Sequence, residues 1–166
     1  MSGSDDRVAI FRKECRNYKF YLDGIERIDQ QLEVLELRMQ NVHSIDTERV
    51  VASGSGKERS LIPLIEKKEE LLAQKQYYQN RIDWIIECLD NVPSPAYRTV
   101  IWKTYVQRES LRRFAEKYNV NSDLVYKMRK IYLEKMMTDE AMEKYQKITD
   151  DFLGKDDEEE KEEEQQ

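Results

Sequence analysis

The chain has 166 residues and a net charge of −6, and charged residues make up 37% of it, against roughly 25% in an average globular domain. With only five Gly and three Pro, this composition favours long solvated helices over a thick globular core. We expect no membrane span and no signal peptide, because no apolar run reaches roughly 18 residues and the N-terminal MSGSDDRVAIF lacks an apolar segment. Cys15 and Cys88 fit no metal-ligand spacing, so we expect reduced thiols in the cytosol.

Charge is distributed unevenly along the chain. Residues 1–95 carry a net charge of −3, residues 96–136 carry +6, residues 137–153 carry −3 and residues 154–166 carry −6. Because the basic excess is confined to one segment, the acidic total does not exclude a nucleic-acid-binding surface.

The first predicted element is a long amphipathic helix that starts near Ser4, where Asp5 and Asp6 suit the free N–H groups of a helix N-terminus. Its apolar residues recur at alternating steps of three and four, which is the a/d pattern of a coiled coil. These residues are Tyr18, Tyr21, Ile25, Ile28, Leu32, Leu35, Met39 and Val42. Glu14 interrupts the pattern near its start, and Gly24 is expected to cost on the order of 1 kcal/mol relative to Ala.

A second amphipathic helix is predicted from about Ser60, after a flexible loop at 44–60 that contains SGSG. Pro63 is compatible with the first turn of this helix. The apolar stripe consists of Leu61, Leu64, Ile65, Leu71, Leu72, Tyr78, Ile82, Ile85 and Leu89. Lys68 and Lys75 interrupt it, and their long stems can lie along apolar surface while the ammonium groups reach water.

The two helices are predicted to form an antiparallel hairpin over residues 5–92, because a flexible loop joins them. A pair of helices leaves part of each apolar stripe uncovered. We therefore expect self-association through residues 11–42 and 61–89, or docking of the C-terminal part. The hairpin is interpreted as a spacer or oligomerisation stalk, and the alternative is that its aromatic residues form a ligand surface.

Residues 94–136 are predicted to form a module of three short helices. The first runs from Pro95, with Ser94 as its cap, to about Gln107. The side chains expected to be buried in it are Val100, Ile101 and either Tyr105 or Trp102. This helix supports the two that follow.

The second and third helices of the module have the spacing of a helix-turn-helix. Ser110 caps the second helix, Asn119 suits a left-handed turn, and Val120 is expected to plug that turn. Either Asn121 or Ser122 caps the third helix. The residues expected to be buried are Leu111, Phe114 and Ala115 in the second helix and Leu124, Val125, Met128 and Ile131 in the third.

A further helix is predicted over 138–153, capped by Thr138 and packed on the module or on the hairpin. The like-charged residues 154–166 are expected to be disordered. They serve either solubility or competition with DNA phosphates for the basic surface. The predicted fold class is therefore all-α, with a helical hairpin, a three-helix module, an extra helix and a disordered acidic tail.

No catalytic, cofactor-binding or metal-binding residue is predicted. His43 is the only histidine, and no Cys or Ser stands at a catalytic spacing from it. The segment SGSGK lacks the spacing and the strand-to-helix context of a phosphate-binding P-loop. We expect a protein that is not an enzyme and that needs no cofactor.

Two segments resemble known proteins. YRTVIWKTYVQRESLRRFAEKYNVNSDLVYKMRKIYLEKM looks like region 4 of bacterial sigma factors, and ERVVASGSGKERSLIPLIEKKEEL resembles a linker and second helix of small phage and prophage proteins of low-GC Gram-positive bacteria. Those proteins are similar to ArpU- and RinA-type late-gene transcriptional regulators. The resemblance covers residues 15–136 and implies a DNA-binding regulator in the cytosol or nucleoid of a bacterial host.

The resemblance also implies which residues meet DNA. Base-contacting positions of the sigma-type third helix fall at Ser122, Asp123, Tyr126 and Lys127. The residues expected near phosphates are Arg112, Arg113, Arg129, Lys130 and Lys135. The chain departs from the family where Arg113 replaces the Glu of a capping box and where Asn119 replaces a turn Gly.

Three other interpretations stay open. In the first, the Arg and Lys residues of this module only keep the helix faces solvated. In the second, the same fold presents a sigma-like face to RNA polymerase or to another sigma factor. In the third, the chain is a DNA-recognition subunit of phage packaging, similar to small terminases, since such proteins also join a helix-turn-helix to an oligomerising helical part.

Overall fold

The computed structural model describes the backbone of residues 2–48 and 55–164 and the side chains of residues 3–42 and 61–151. Within these ranges the chain forms six α-helices and no β-strand, so the predicted all-α fold class is confirmed. The helices are α1 (Ser2–Glu48), α2 (Ser55–Asp90), α3 (Pro95–Ile101), α4 (Leu111–Tyr118), α5 (Ser122–Met136) and α6 (Asp139–Glu164), with a π-helical turn (Trp102–Val106) after α3. In the described part of the chain, no helix is long and apolar enough to cross a membrane.

Helix boundaries differ from the sequence predictions between α1 and α2, at the end of α3 and at the C-terminal end of α6. α1 continues to Glu48 and α2 begins at Ser55, so both helices enter the predicted loop at 44–60. α6 continues to Glu164, through most of the segment 154–166 for which the sequence predicts disorder. The Glu and Lys residues there have high intrinsic helix propensity, which needs no apolar core. Residues 49–54 and 165–166, and the side chains of His43 and Phe152, lie outside the described residues.

Contacts divide the chain into two compact units. The terminal unit is formed by Met1–Lys19 with Asn80–Gln166, and the central unit by Phe20–Gln79. α1 and α2 each contribute to both units. This division differs from the predicted boundary between residues 92 and 94, because the start of α1 and the end of α2 share a core with α3, α5 and α6.

In the central unit, α1 and α2 pack through the predicted heptad positions. Ile28, Leu35 and Leu71 are buried, and Leu32, Met39, Leu64 and Tyr78 pack around them. Lys75 Nζ lies 2.6 Å from Asp29 Oδ1, and Lys68 Nζ lies 3.9 Å from Glu36 Oε2. Since the α2 numbers fall as the α1 numbers rise, the two segments run antiparallel. The lysines that interrupt the α2 stripe therefore pair with carboxylates of α1.

Two residues predicted to lie in this seam are exposed. Ile65 is 42% and Leu72 is 46% exposed. Each follows a seam residue, Leu64 or Leu71, by one position, which turns its side chain about 100° around the helix and away from α1.

Gly24 has a packing role that helix propensity does not reveal. A Cβ atom at this position would lie 2.8 Å from Cε2 of Tyr78. Glycine therefore lets the Tyr78 ring pack directly against the backbone of α1.

The terminal unit has the larger core. Its fully buried large side chains include Phe11, Trp84, Ile85, Ile101 and Met136. α6 begins just after Thr138, the residue predicted to cap it, whose Oγ1 accepts a hydrogen bond of 3.1 Å from the Ala141 N–H. Trp84 Nε1 donates to the Ala141 carbonyl at 2.8 Å, which holds α6 against α2.

Glu14, which interrupts the apolar pattern of α1, is 2% exposed and paired with the 6% exposed Arg81. Arg81 Nη1 lies 3.1 Å from Glu14 Oε1, and the Tyr145 hydroxyl donates to the same oxygen at 3.0 Å. The Arg81 guanidinium also lies 5.1 Å from the centroid of the Tyr145 ring. Burial, with a further contribution from Glu14, raises the pKa of Tyr145. The charged interruption in the heptad pattern is thus a polar link among α1, α2 and α6.

Candidate nucleic-acid interface

Two residues fix the turn between α4 and α5, and a third caps the other end of α4. Ser110 Oγ accepts a hydrogen bond of 3.5 Å from the Arg113 N–H at the start of α4. Asn119 ends α4 in the left-handed conformation, with φ 54° and ψ 49°. Asn121, rather than Ser122, caps α5, because its Oδ1 accepts hydrogen bonds from the Asp123 and Leu124 N–H groups at 3.0 and 3.1 Å. Caps at both ends of the turn define where α5 begins and the direction in which it leaves the turn.

A small apolar cluster lies between α3 and the two helices that flank this turn. Val100 of α3, Phe114 of α4 and Val125 of α5 are buried together, with Tyr97 and Leu111 packed against them. The cluster joins all three helices, so α5 is held on α3 and α4 by side-chain packing as well as by its cap.

Three predictions about burial in this region are wrong. Val120 is 43%, Leu124 is 57% and Ile131 is 42% exposed. Val125, Leu133 and Met136 are the residues that α5 buries. Val125 packs on α3 and α4, and Leu133 and Met136 join the core of the terminal unit, so these contacts select the buried face of α5. The side chain of Leu124 points about 100° away from that of Val125. Met128 is half-buried.

The four residues expected to contact bases share one exposed region of α5. Ser122 and Asp123 stand in its first turn, and Tyr126 and Lys127 stand one turn later; all four are exposed. Residues four apart lie on one helix face, so Ser122 and Tyr126 project together and Asp123 and Lys127 project beside them. The structure therefore brings the predicted base contacts into one surface.

The five residues expected to contact phosphates are more dispersed. Arg112 pairs with Glu116 at 3.4 Å on the surface of α4. Arg113, Lys130 and Lys135 are exposed. Lys135 lies about 180° around α5 from Tyr126, on the side of the exposed Leu124 and Ile131.

Arg129, which was expected near a phosphate, lies beside two aromatic rings. It is half-buried, and its guanidinium lies 4.8 Å from the centroid of the Tyr105 ring and 5.6 Å from that of Tyr126. Such stacking fixes the direction of the guanidinium while its N–H groups remain available as donors.

The π-helical turn after α3 is a feature that the sequence does not signal. It carries Lys103, whose Nζ donates to the Tyr118 hydroxyl at 2.9 Å. This hydrogen bond raises the pKa of Lys103 and lowers the pKa of Tyr118. Arg108, just beyond the turn, has φ 61°. Widening of the helix at this point, together with the left-handed Arg108, ends α3 and sets the approach to α4.

The start of α1 also contacts the π-helical turn, and this contact was not predicted. Arg12 Nη2 donates to the Tyr105 hydroxyl at 3.3 Å. The signal was present in the local charge of α1, where Arg12, Lys13, Arg16 and Lys19 fall within eight residues. Averaging charge over residues 1–95 hid this concentration.

Among the residues that the structure describes, no group of three or more His, Cys, Asp or Glu side chains is placed to hold a metal ion. No protein-family model, no curated protein and no solved structure matches this chain.

Proposed function

We propose that this chain is a sequence-specific DNA-binding transcriptional regulator of the phage or prophage type, with α5 as its recognition helix. The observation that carries the proposal is the exposed surface of Ser122, Asp123, Tyr126 and Lys127 on the first two turns of α5. A capped helix that rests on a buried apolar cluster offers these side chains in one orientation. The first turns of a recognition helix enter the major groove in this class of DNA-binding motif.

Each of these residues has a plausible partner in the major groove. Lys127 can donate to the O6 and N7 acceptors of guanine, and Asp123 can accept from the amino group of cytosine. Tyr126 offers an aromatic ring to a thymine methyl group, and the Ser122 hydroxyl can donate or accept. Both polar and apolar readout are therefore within reach of one helix face.

The phosphate contacts of the proposal come from the basic residues around this surface. Residues 96–136 carry a net charge of +6. Arg112, Arg113, Arg129 and Lys130 are the proposed phosphate-contacting residues, whereas Lys135 lies on the opposite side of α5 from Tyr126. Such contacts position a protein on the duplex and make its affinity depend on salt. The proposed protein acts in a bacterial cytosol or nucleoid by binding, without catalysis or a cofactor.

A second candidate function rests on the apolar residues that α5 leaves exposed. Leu124 and Ile131 are 57% and 42% exposed, and Val120 in the turn is 43% exposed. Contiguous exposed apolar side chains are typical of protein-binding surfaces. This observation favours a factor that presents a sigma-like face to RNA polymerase or to another sigma factor.

Recovery of bound duplexes from a fragmented host-genome library tests the first function. We expect the wild-type chain to enrich a defined sequence. Lys127→Ala should relax the preference at one base pair and weaken the preferred site by about 1–3 kcal/mol. Lys135→Ala makes the same charge change on the opposite side of the same helix, so it should leave the base preference unchanged.

The two functions give different results in this experiment. If the wild-type chain enriches no sequence, the regulator proposal is overturned. In that case Leu124→Ser should reduce capture of purified RNA polymerase or sigma factor, as the second function requires.

A further inference from the structure

A cavity of about 240 Å³ lies where α1, the π-helical turn and α5 meet in the terminal unit. Arg12 of α1 and Arg129 and Lys130 of α5 line it, beside the rings of Tyr105 and Tyr126. Three cations from two helices that are distant in sequence therefore converge on one cavity, next to the proposed base-contacting surface.

Tyr105 orients two of these cations. The Arg12 guanidinium lies 5.6 Å from the centroid of the Tyr105 ring, and the Arg129 guanidinium lies 4.8 Å from it. Arg12 also donates to the Tyr105 hydroxyl. Cation–π contacts hold a guanidinium in place without neutralising its charge.

The charges of this cavity are not paired with one another. Asp5 and Glu134 also line it. Yet among the described residues Arg12, Arg129 and Lys130 form no ion pair with any carboxylate. The guanidinium forks are thus oriented by aromatic rings and keep donors free for an external anion.

The basic surface continues along α1 beyond the cavity. Arg16 and Lys19 are exposed and follow Arg12 by four and seven residues. At 100° per residue, their side chains project within about 40° of Arg12. We call these three residues the α1 stripe. Glu14, the acidic residue between them, is turned into the core and bound to Arg81.

We propose that the α1 stripe, together with Arg129 and Lys130, binds the phosphate backbone of double-stranded DNA beside the base-contacting face of α5. A line of cations suits a polyanion with regularly spaced charges better than it suits a single small anion. Planar guanidinium donors match phosphate oxygens in pairs. Tyr126 lines the cavity and also belongs to the base-contacting set, so the two surfaces are continuous. α1 is then a second DNA-contacting element, an inference that rests on the proposed function.

Salt-dependent binding of the full-length chain to DNA tests this inference. The variants are Arg12→Ala, Arg16→Ala and the double variant, measured on a random-sequence duplex and on the genomic duplex that the wild type enriches. Each lost phosphate contact should reduce the slope of log K against log salt by about 0.9 and weaken both duplexes equally. The double variant should lose about twice as much slope.

Lys13→Ala is the matched control. Lys13 is exposed on the same helix and carries the same charge, but its side chain points about 100° away from Arg12. We expect its salt slope to equal that of the wild type. Arg16→Ala keeps the test decisive if loss of the Arg12–Tyr105 contact perturbs folding.

The outcomes separate this inference from the proposed function. If the wild type binds DNA and both Arg variants keep its slope, the role of α1 is overturned and α5 recognition stands. A slope lowered equally by Lys13→Ala overturns it as well, because the effect would then be general charge. If the wild type binds no duplex at all, both proposals are overturned.

Discussion

At the residue scale, Glu14 and Arg81 form a buried ion pair in the core of the terminal unit. Both side chains are almost fully buried, and Tyr145 donates to the same carboxylate oxygen that Arg81 contacts. A buried ion pair adds little stability relative to apolar residues of similar size. Removing only one partner, however, leaves the other charge in an apolar surrounding. The pair therefore specifies which residues of α1, α2 and α6 meet.

Glu14→Ala should lower the free energy of unfolding by roughly 3–5 kcal/mol, because the buried Arg81 loses the carboxylate that pairs with it. Urea denaturation followed by circular dichroism measures this loss. The double variant Glu14→Leu with Arg81→Met should be more stable than Glu14→Ala. If the double variant is instead less stable than Glu14→Ala, the pair stabilises the fold beyond its own desolvation.

Cys15 and Cys88 should be unreactive in the native chain at pH 8. Burial, the largest cause, raises the pKa of both thiols, and that of Cys88 rises from 9.0 to about 12. Native Cys88 should hold roughly a thousandfold less thiolate than in the unfolded chain, and the thiolate is the reactive form. Ellman's reagent, added to native and to guanidinium-unfolded protein, measures the difference. Fast labelling of the native chain would contradict burial of the thiols.

The raised pKa of Cys88 also predicts the direction in which the free energy of unfolding changes with pH. The folded-state pKa is raised, so the unfolded chain loses the thiol proton first as the pH rises. The stabilising contribution is fully present below pH 9.0 and is lost as the pH approaches about 12. The urea midpoint should therefore fall in this window.

At the element scale, two Asn residues determine the conformation of the turn before α5. Asn119 takes the left-handed conformation that ends α4, and Asn121 accepts from the free N–H groups of α5. The sequence indicates both residues because Asn is favoured in these two settings. It cannot indicate the rotation of α5 about its own axis, because packing on α3, on α4 and on the core of the terminal unit decides which face is buried.

Asn119→Ala should lower the free energy of unfolding by roughly 1–2 kcal/mol, since Ala tolerates the left-handed region poorly. Asn119→Gly is the control and should lose no stability, because glycine has no Cβ to strain this conformation. Thermal and urea unfolding measure both variants. Equal stability of the Ala and Gly variants would show that the turn relaxes to another conformation.

At the scale of the whole molecule, the central unit leaves large apolar side chains exposed among its described residues. Phe20, Val34, Leu37 and Ile62 are each more than half exposed. An open groove of about 490 Å³ beside Val34 is lined by Arg27, Arg38 and Lys67 and by no acidic residue. Glu26 and Glu33 project about 100–120° around α1 from Arg27, by the helical period. Because these two faces carry opposite charge, we expect a second copy of this chain as the partner.

Self-association should therefore depend on charge. Arg27→Glu with Arg38→Glu, and separately Glu26→Lys with Glu33→Lys, should each reduce the oligomer mass measured by light scattering. An equimolar mixture of the two double variants should associate again, because each then offers the charge that the other lacks. If both variants keep the wild-type mass, this surface is not the interface. Rings of eight or more subunits would favour the packaging interpretation.

The sequence by itself determined the all-α fold class, because helical periodicity and composition are local properties of the chain. It also indicated the heptad seam and the capping residues Ser94, Ser110 and Thr138. Only the tertiary structure decided that Glu14 is buried, that Leu124 is exposed, and that the start of α1 and the end of α2 share a core with α5 and α6. These features depend on contacts between residues far apart in sequence, such as the contact of Glu14 with Tyr145. Helical periodicity states which side chains share a face, and only the packing of α5 on α3, on α4 and on the core of the terminal unit selects which face is covered.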